Sequence, residues 1–222
     1  MREKKQIPSL VKDQKLVQKR REQIIESAVA LFIEKGFFKT TTREIAAKAG
    51  FSIGTLYEYI EAKEDVLYLV CDAIHHELEE RLLQSVKDTR KGIDSLQEAM
   101  VYFFQVMNDM QDRVLLIYQE AKSLPKDMLR YVLGKEKDIT QIFENILLRG
   151  IEDGSIALDR KDTHLMSHNI MVLGEMWVFR RWALGKQFSL EEFIQEQTSL
   201  ILNQIRKPKE EGKIESTGSV SN

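Results

Sequence analysis

A chain of 222 residues and 25.9 kDa, 43% of them hydrophobic, can bury roughly 70% of its unfolded surface in one or two domains without staples. Its single cysteine, Cys71, excludes a disulfide framework and any multi-cysteine zinc or iron–sulfur site. No apolar run approaches the ~18 residues of a membrane span, and the basic first twenty residues lack the apolar core of a signal peptide, so a cytoplasmic chain without membrane contact is expected. The net charge of −2 is unevenly placed: residues 1–63 carry 13 Lys/Arg against 8 Asp/Glu, a net of +5, and residues 64–222 carry 20 against 27, a net of −7. A basic head on an acidic body suits a head that meets a polyanion; a solvated basic tail accounts for the charge alone equally well.

Glycine and proline together number 14, about half the usual ~12%, which disfavours a loop-rich or all-β chain. The interruptions at Pro8, Pro125 and Pro208, and at Gly36, Gly50, Gly92, Gly134, Gly154 and Gly185, divide the chain. Helices are predicted at about 18–35, 42–49, 53–60, 63–89, 94–110, 112–121, 126–133, 135–152, 161–184 and 189–206. Residues 1–19 form a basic arm, of which 1–17 are expected to be mobile until bound. Its Lys12, Lys15 and Lys19, with Arg20 and Arg21, suit phosphates or a flanking minor groove. The polar tail 208–222 lacks an apolar stripe and is expected to be disordered. In the first helix Ile25, Ala28, Val29 and Phe32 recur at i, i+3, i+4, i+7 and predict its buried face.

Residues 40–63 read TTTREIAAKAGFSIGTLYEYIEAK. Thr42 can cap a short helix whose inner face is Ile45, Ala46 and Ala49. Gly50 permits a tight turn, Phe51 fills the angle, and Ser52 can cap a second helix with Leu56 and Ile60 on one face. Two short helices joined this way make a helix-turn-helix, a unit that presents its second helix to a DNA major groove and also serves as plain scaffold. The residue types favour DNA. Thr55, Tyr57 and Tyr59 offer hydroxyls to phosphates, Lys63 adds a cation, and Thr42 with its helix N-terminus can hold a phosphate. Arg43 can reach a guanine edge, and Ile53 either joins the core or touches a thymine methyl.

With a first helix ending in LFIEKGFFKTT, followed by TREIAAKAGFSIGTLYEYIEAKEDVL, residues 20–70 resemble the TetR/AcrR family of bacterial one-component regulators. The A-x-x-A-G-x-S-x-G-T-L-Y-x-Y run with Lys63 carries the resemblance. It implies an all-α fold, with a three-helix DNA-binding head at 20–66 on a ligand-binding and dimerisation body at 67–207. It places the DNA-facing positions at Thr42, Arg43, Ser52, Ile53, Gly54, Thr55, Tyr57, Tyr59 and Lys63. The function implied is that of a homodimeric repressor, released from double-stranded operator DNA by a hydrophobic small molecule. A helical interaction module that never meets DNA is the alternative.

The body is rich in large apolar residues, and most must be core. Methionine fills adaptable cavities, so Phe103, Phe104, Met107, Tyr118, Tyr131, Phe143, Met171 and Trp177 are candidates to line an effector site. Arg180 is a candidate for an anionic head group. A fatty acid or fatty acyl-CoA suits this lining, and so does a planar drug or dye with control of an efflux pump. Gly174 inside a long helix allows either a close helix approach or room for ligand. The stripe Phe193, Ile194, Ile201 and Ile205 on the last helix exceeds what packing on one neighbour requires and is expected to pair with a second copy. His164 and His168, at i, i+4, could ligate a metal, but no third ligand has convincing spacing, and a surface pair is the plainer reading. Adjacent His75 and His76 are read as structural, and Cys71 as core. No Ser/His/Asp order, Gly-rich phosphate loop or carboxylate pair stands out, so no enzyme and no cofactor is expected.

Overall fold

The structure is a computed structural model that describes residues 5–85 and 91–206. Among these lie nine α-helices, with short 3-10 helices at Ala121–Ser123 and Arg160–Asp162: α1 (Gln14–Lys35), α2 (Thr42–Lys48), α3 (Ile53–Tyr57), α4 (Lys63–Ser85), α5 (Gly92–Asp109), α6 (Gln111–Glu120), α7 (Lys126–Glu152), α8 (Thr163–Leu184) and α9 (Leu190–Ile205). The expected all-α fold is what forms. The 208–222 tail lies outside the described residues.

Local chemistry sets most boundaries. α1 begins at Gln14 rather than 18, because the Asp13 carboxylate accepts the N–H groups of Lys15 and Leu16 and satisfies two orphan donors. Its buried face is Val17, Ile24, Ala28, Leu31 and Phe32; Ile25 and Val29, expected inside, flank that face half-buried. α2 is capped by Thr41, not Thr42. The Thr41 hydroxyl accepts Glu44 N–H while the Glu44 side chain accepts Thr41 N–H, a capping box. α9 starts with the same device at Ser189 and Glu192. α7 runs unbroken through Gly134, which was expected to stop it. Among the described glycines, positive φ is confined to Gly36, Gly50 and Gly154. Gly134 therefore stays helical, and burial of its helix outweighs the ~1 kcal/mol propensity cost.

α5 is the axis of the body. Leu96, Ala99, Met100, Phe103, Phe104 and Met107 are all buried along it, where it packs against α4, α7, α8 and α9. Its first residue meets α7 backbone to backbone: a Cβ on Gly92 would lie 2.2 Å from the Cα of Gly150. Gly92→Ala must push the two helices apart. It is expected to cost about 1–3 kcal/mol, a fall of roughly 3–10 °C in Tm. A thermal melt superimposable on that of the native chain would show that the crossing has slack.

Candidate nucleic-acid interface and effector body

The turn between α2 and α3 closes on Gly50, at φ +76°, with Phe51 N–H donating to Ala46 O at 2.8 Å. Ile45, Ala46, Leu56, Tyr59 and Ile60 are buried beneath it. Phe51 packs half-buried on this core, and the Arg20 guanidinium sits 5.0 Å over its ring. Ser52 caps α3 by accepting Thr55 N–H, and its hydroxyl lies 2.9 Å from that of Thr55. The Thr42 hydroxyl lies 3.2 Å from that of Tyr57, tying the first turn of α2 to the end of α3.

The nine sequence-derived head positions divide into two groups. Arg43, Ser52, Ile53, Gly54 and Tyr57 are exposed, and Thr42 and Thr55 are half-buried. Ile53 is 38% exposed, which settles the open alternative against core. Tyr59 is only 3% exposed and Lys63 also points inward. The Lys63 ammonium donates to Phe37 O and Thr40 O, both at 3.0 Å, and sits 4.2 Å over the Phe37 ring. It thereby locks the turn between α1 and α2. Glu44 beside that turn bonds Lys35 and Thr41, and these contacts, the Lys35 one foremost, pull its carboxyl down to about 2.

The arm departs from expectation. Ile7 and Val17 are buried, and Arg21, expected to face phosphates, donates to the carbonyls of Ile7, Pro8 and Tyr59. Lys12, Lys15 and Lys19 do remain exposed. A contact spanning 38 residues of sequence leaves no local signature.

In the body, Phe103, Phe104, Met107, Phe143, Met171 and Trp177 are all buried. Their rings interlock: Phe103 is 5.2 Å from Phe143, Phe104 is 5.8 Å from Phe193, and Trp177 is 4.9 Å from Phe193. Gly174 provides the seat for Phe103, since a Cβ there would lie 2.4 Å from the ring. Three candidates stand apart from this cluster. Tyr118 is 69% exposed and stacks on Phe179 at 4.4 Å. Arg180 is exposed beside Trp182. Tyr131 donates its hydroxyl to Asp72 at 2.9 Å. A cleft of about 670 Å³ opens elsewhere, between α1 and α4, lined by Ile25, Val29, Ile33, Ile74, Glu77 and Arg113.

Phe193, Ile194, Ile201 and Ile205 are buried within the single chain, so the expected pairing stripe is instead the inner face of α9, packed on α5. The outward apolar face lies on α8. Leu165 is 64% and Val172 57% exposed, and half-buried Met176 and Phe179 continue the line at i+4 and i+7 spacing. Sequence periodicity missed it because α8 carries apolar residues on its inner face too.

His164 and His168 meet edge to face at 4.8 Å, and His164 Nδ1 lies 3.3 Å from Glu144 Oε2. Among the described residues no third group joins them as a metal ligand. His75 is buried with Nδ1 2.9 Å from Cys71 O, and burial pushes the Cys71 thiol up to about 12. Half-buried Glu175 is raised from 4.5 to about 7, by burial first and by the Glu136 carboxylate second. A carboxyl that holds its proton more tightly in the folded state stabilises the fold below its unfolded pKa, and this contribution is lost as pH rises through the folded value. With solvent screening the contribution is on the order of 1 kcal/mol. Glu175→Gln is therefore expected to raise Tm by about 2–4 °C at pH 8 and by little at pH 5. An equal gain at both pH values would detach the effect from this proton.

The model of bacterial regulatory proteins of the tetR family matches residues 24–68, and that of the tetracyclin repressor-like C-terminal domain matches residues 89–204. The chain is 28% identical over 196 residues to the HTH-type transcriptional regulator HbdR of Aromatoleum sp. strain CIB, covering 88% of this chain and 85% of HbdR. It is 26% identical over 193 residues to the HTH-type transcriptional repressor KstR2 of Mycobacterium tuberculosis, covering 86% and 95%. The solved structure of that regulator, described as a ketosteroid transcriptional regulator, aligns with TM-score 0.65. The structure of AibR in complex with isovaleryl coenzyme A and operator DNA has the same fold, with TM-score 0.68 at 19% identity over 82% of this chain and 97% of AibR. With a matched helix-turn-helix head and a matched C-terminal body covering more than half its length, the chain belongs to the TetR family of transcriptional regulators.

Proposed function

We propose that the chain is a dimeric repressor that binds a palindromic operator in the cytoplasm and leaves it when a hydrophobic acid or its coenzyme A thioester enters the body. The observation that carries this reading is the exposed group Arg43, Ser52, Ile53, Gly54 and Tyr57, set on a rigid turn. Arg43 and Ile53 suit base edges, while Thr42, Ser52, Thr55 and Tyr57 suit phosphates. Lys63 supports the interface indirectly, holding with two backbone carbonyls the turn from which α2 starts. KstR2 carries the name of a repressor, and AibR was solved with an acyl-CoA and operator DNA; both support the reading. The pairing surface is proposed to be the Leu165, Val172, Met176 and Phe179 line of α8, extended by exposed Leu200 of α9.

The test is selection from a random duplex pool with the full chain. The expected product is a palindrome whose half-site centres lie one helical turn, ~34 Å, or a small multiple apart. No enrichment over a Tyr57→Ala, Arg43→Ala control would overturn the DNA reading. Acyl-CoA thioesters and free acids of increasing chain length are then titrated into the complex. If none releases DNA or shifts the melt, the proposed effector class is wrong.

A further inference from the structure

We propose that residues 5–10 form a strap that couples the C-terminal end of α3 to the first turn of α7, with Arg21 as the positioning residue that seats it. At the head end, Leu10 N–H and the Ser9 hydroxyl both donate to Glu58 O at 2.9 Å. Glu58 is the C-cap of α3, its N–H donating back to Thr55 O, so the strap holds the carbonyl of the residue whose N–H closes the proposed recognition helix. The Arg21 guanidinium bridges strap and head, donating to Ile7 O at 2.6 Å, Pro8 O at 3.1 Å and Tyr59 O at 3.0 Å. Its planar fork of donors suits three converging carbonyls in a way that a lysine ammonium does not. Ile7, only 6% exposed, fixes the middle of the strap in the core.

At the body end, Lys5 N–H donates to the Tyr68 hydroxyl at 3.1 Å, and the Lys5 ammonium lies 3.4 Å from Asp127 Oδ2 in the first turn of α7. The Tyr68 ring packs at 5.4 Å against Tyr131, one helical turn further along α7. An extended segment reaches at most ~3.6 Å per residue, so a few residues hooked at both ends have little slack. A shift of the start of α7 relative to the head must drag the end of α3 or break a hook. The Lys5–Asp127 pair, exposed on both sides, is the weakest hook and the point of release.

Coupling is reciprocal, and reciprocity separates a strap from passive packing. The measurement is amide hydrogen exchange by mass spectrometry on the full-length chain without DNA or effector, so its outcome is independent of the proposed operator and effector. Cutting the body end with Tyr68→Phe and Asp127→Asn is expected to speed exchange about fivefold, the worth of one net hydrogen bond, both in the strap and across Glu58–Ile60. Cutting the head end with Ser9→Ala and Arg21→Gln is expected to speed exchange by a similar factor in the α7 start, where Leu129 N–H donates to Pro125 O. Ser9→Ala alone, at a partly exposed side chain, keeps the second arm valid should Arg21→Gln fail to fold. If each cut loosens only its own end, or neither changes exchange at all, the strap does not couple.

Discussion

Val172→Glu is expected to leave the chain folded and monomeric and to weaken operator binding by about 100-fold or more, the range lost when two linked contacts become one. Val172 is 57% exposed and sits mid-way along the outward line of α8. A carboxylate there meets solvent in the monomer, but in a pairing face it would be desolvated without a partner. The comparison variant is Ile201→Glu. Ile201 is 5% exposed, so a charge there is expected to damage the fold itself. Sedimentation equilibrium, circular dichroism and a titration on one operator separate the two. A folded, monomeric Val172→Glu chain with native affinity would remove the two-headed mechanism.

Arg43→Ala is expected to cost about 1–3 kcal/mol per head, some 10- to 100-fold, and to relax base preference at one symmetric position of the selected site. Arg43 is exposed in the first turn of α2, and among the described residues no hydrogen bond or ion pair holds its side chain. The alternative contact is to phosphate. It predicts a different pattern: uniform weakening over all sequences and a log–log salt slope flatter by ~0.9 per head. Native affinity and native preference together would take Arg43 out of the interface.

What could be seen in the sequence follows the range of the interactions. The turn at Gly50, the Ser52 cap and the inner residues Ile45, Ala46 and Leu56 are fixed within about twenty residues, and their spacing displays them. The cap at Thr41 was missed by one position because three threonines run together and only Glu44, three residues on, selects among them. Long-range contacts were not legible. The Arg21 clamp joins residues separated by 13, 14 and 38 positions, and an arginine beside other basic residues looks like a phosphate ligand until its partners are known. The α9 stripe was visible as a stripe, but which partner covers it depends on α5. The phenylalanine cluster was visible as composition, and only the fold shows Phe103 seated on Gly174.

From Val66 to Cys71 six consecutive residues of α4 are buried, which one face of a helix cannot achieve. Head, arm and body cover this stretch from different sides, and α4 begins in the head and ends in the body. A division at residue 66 would cut through the shared beam of the building. A transplanted head that ends there would lose buried Leu67, Tyr68 and Val70, and the side chains packed on them would face water. A hybrid regulator made from this chain must therefore carry α4 with its head and place the join beyond Leu82, the last fully buried residue among those described in that helix.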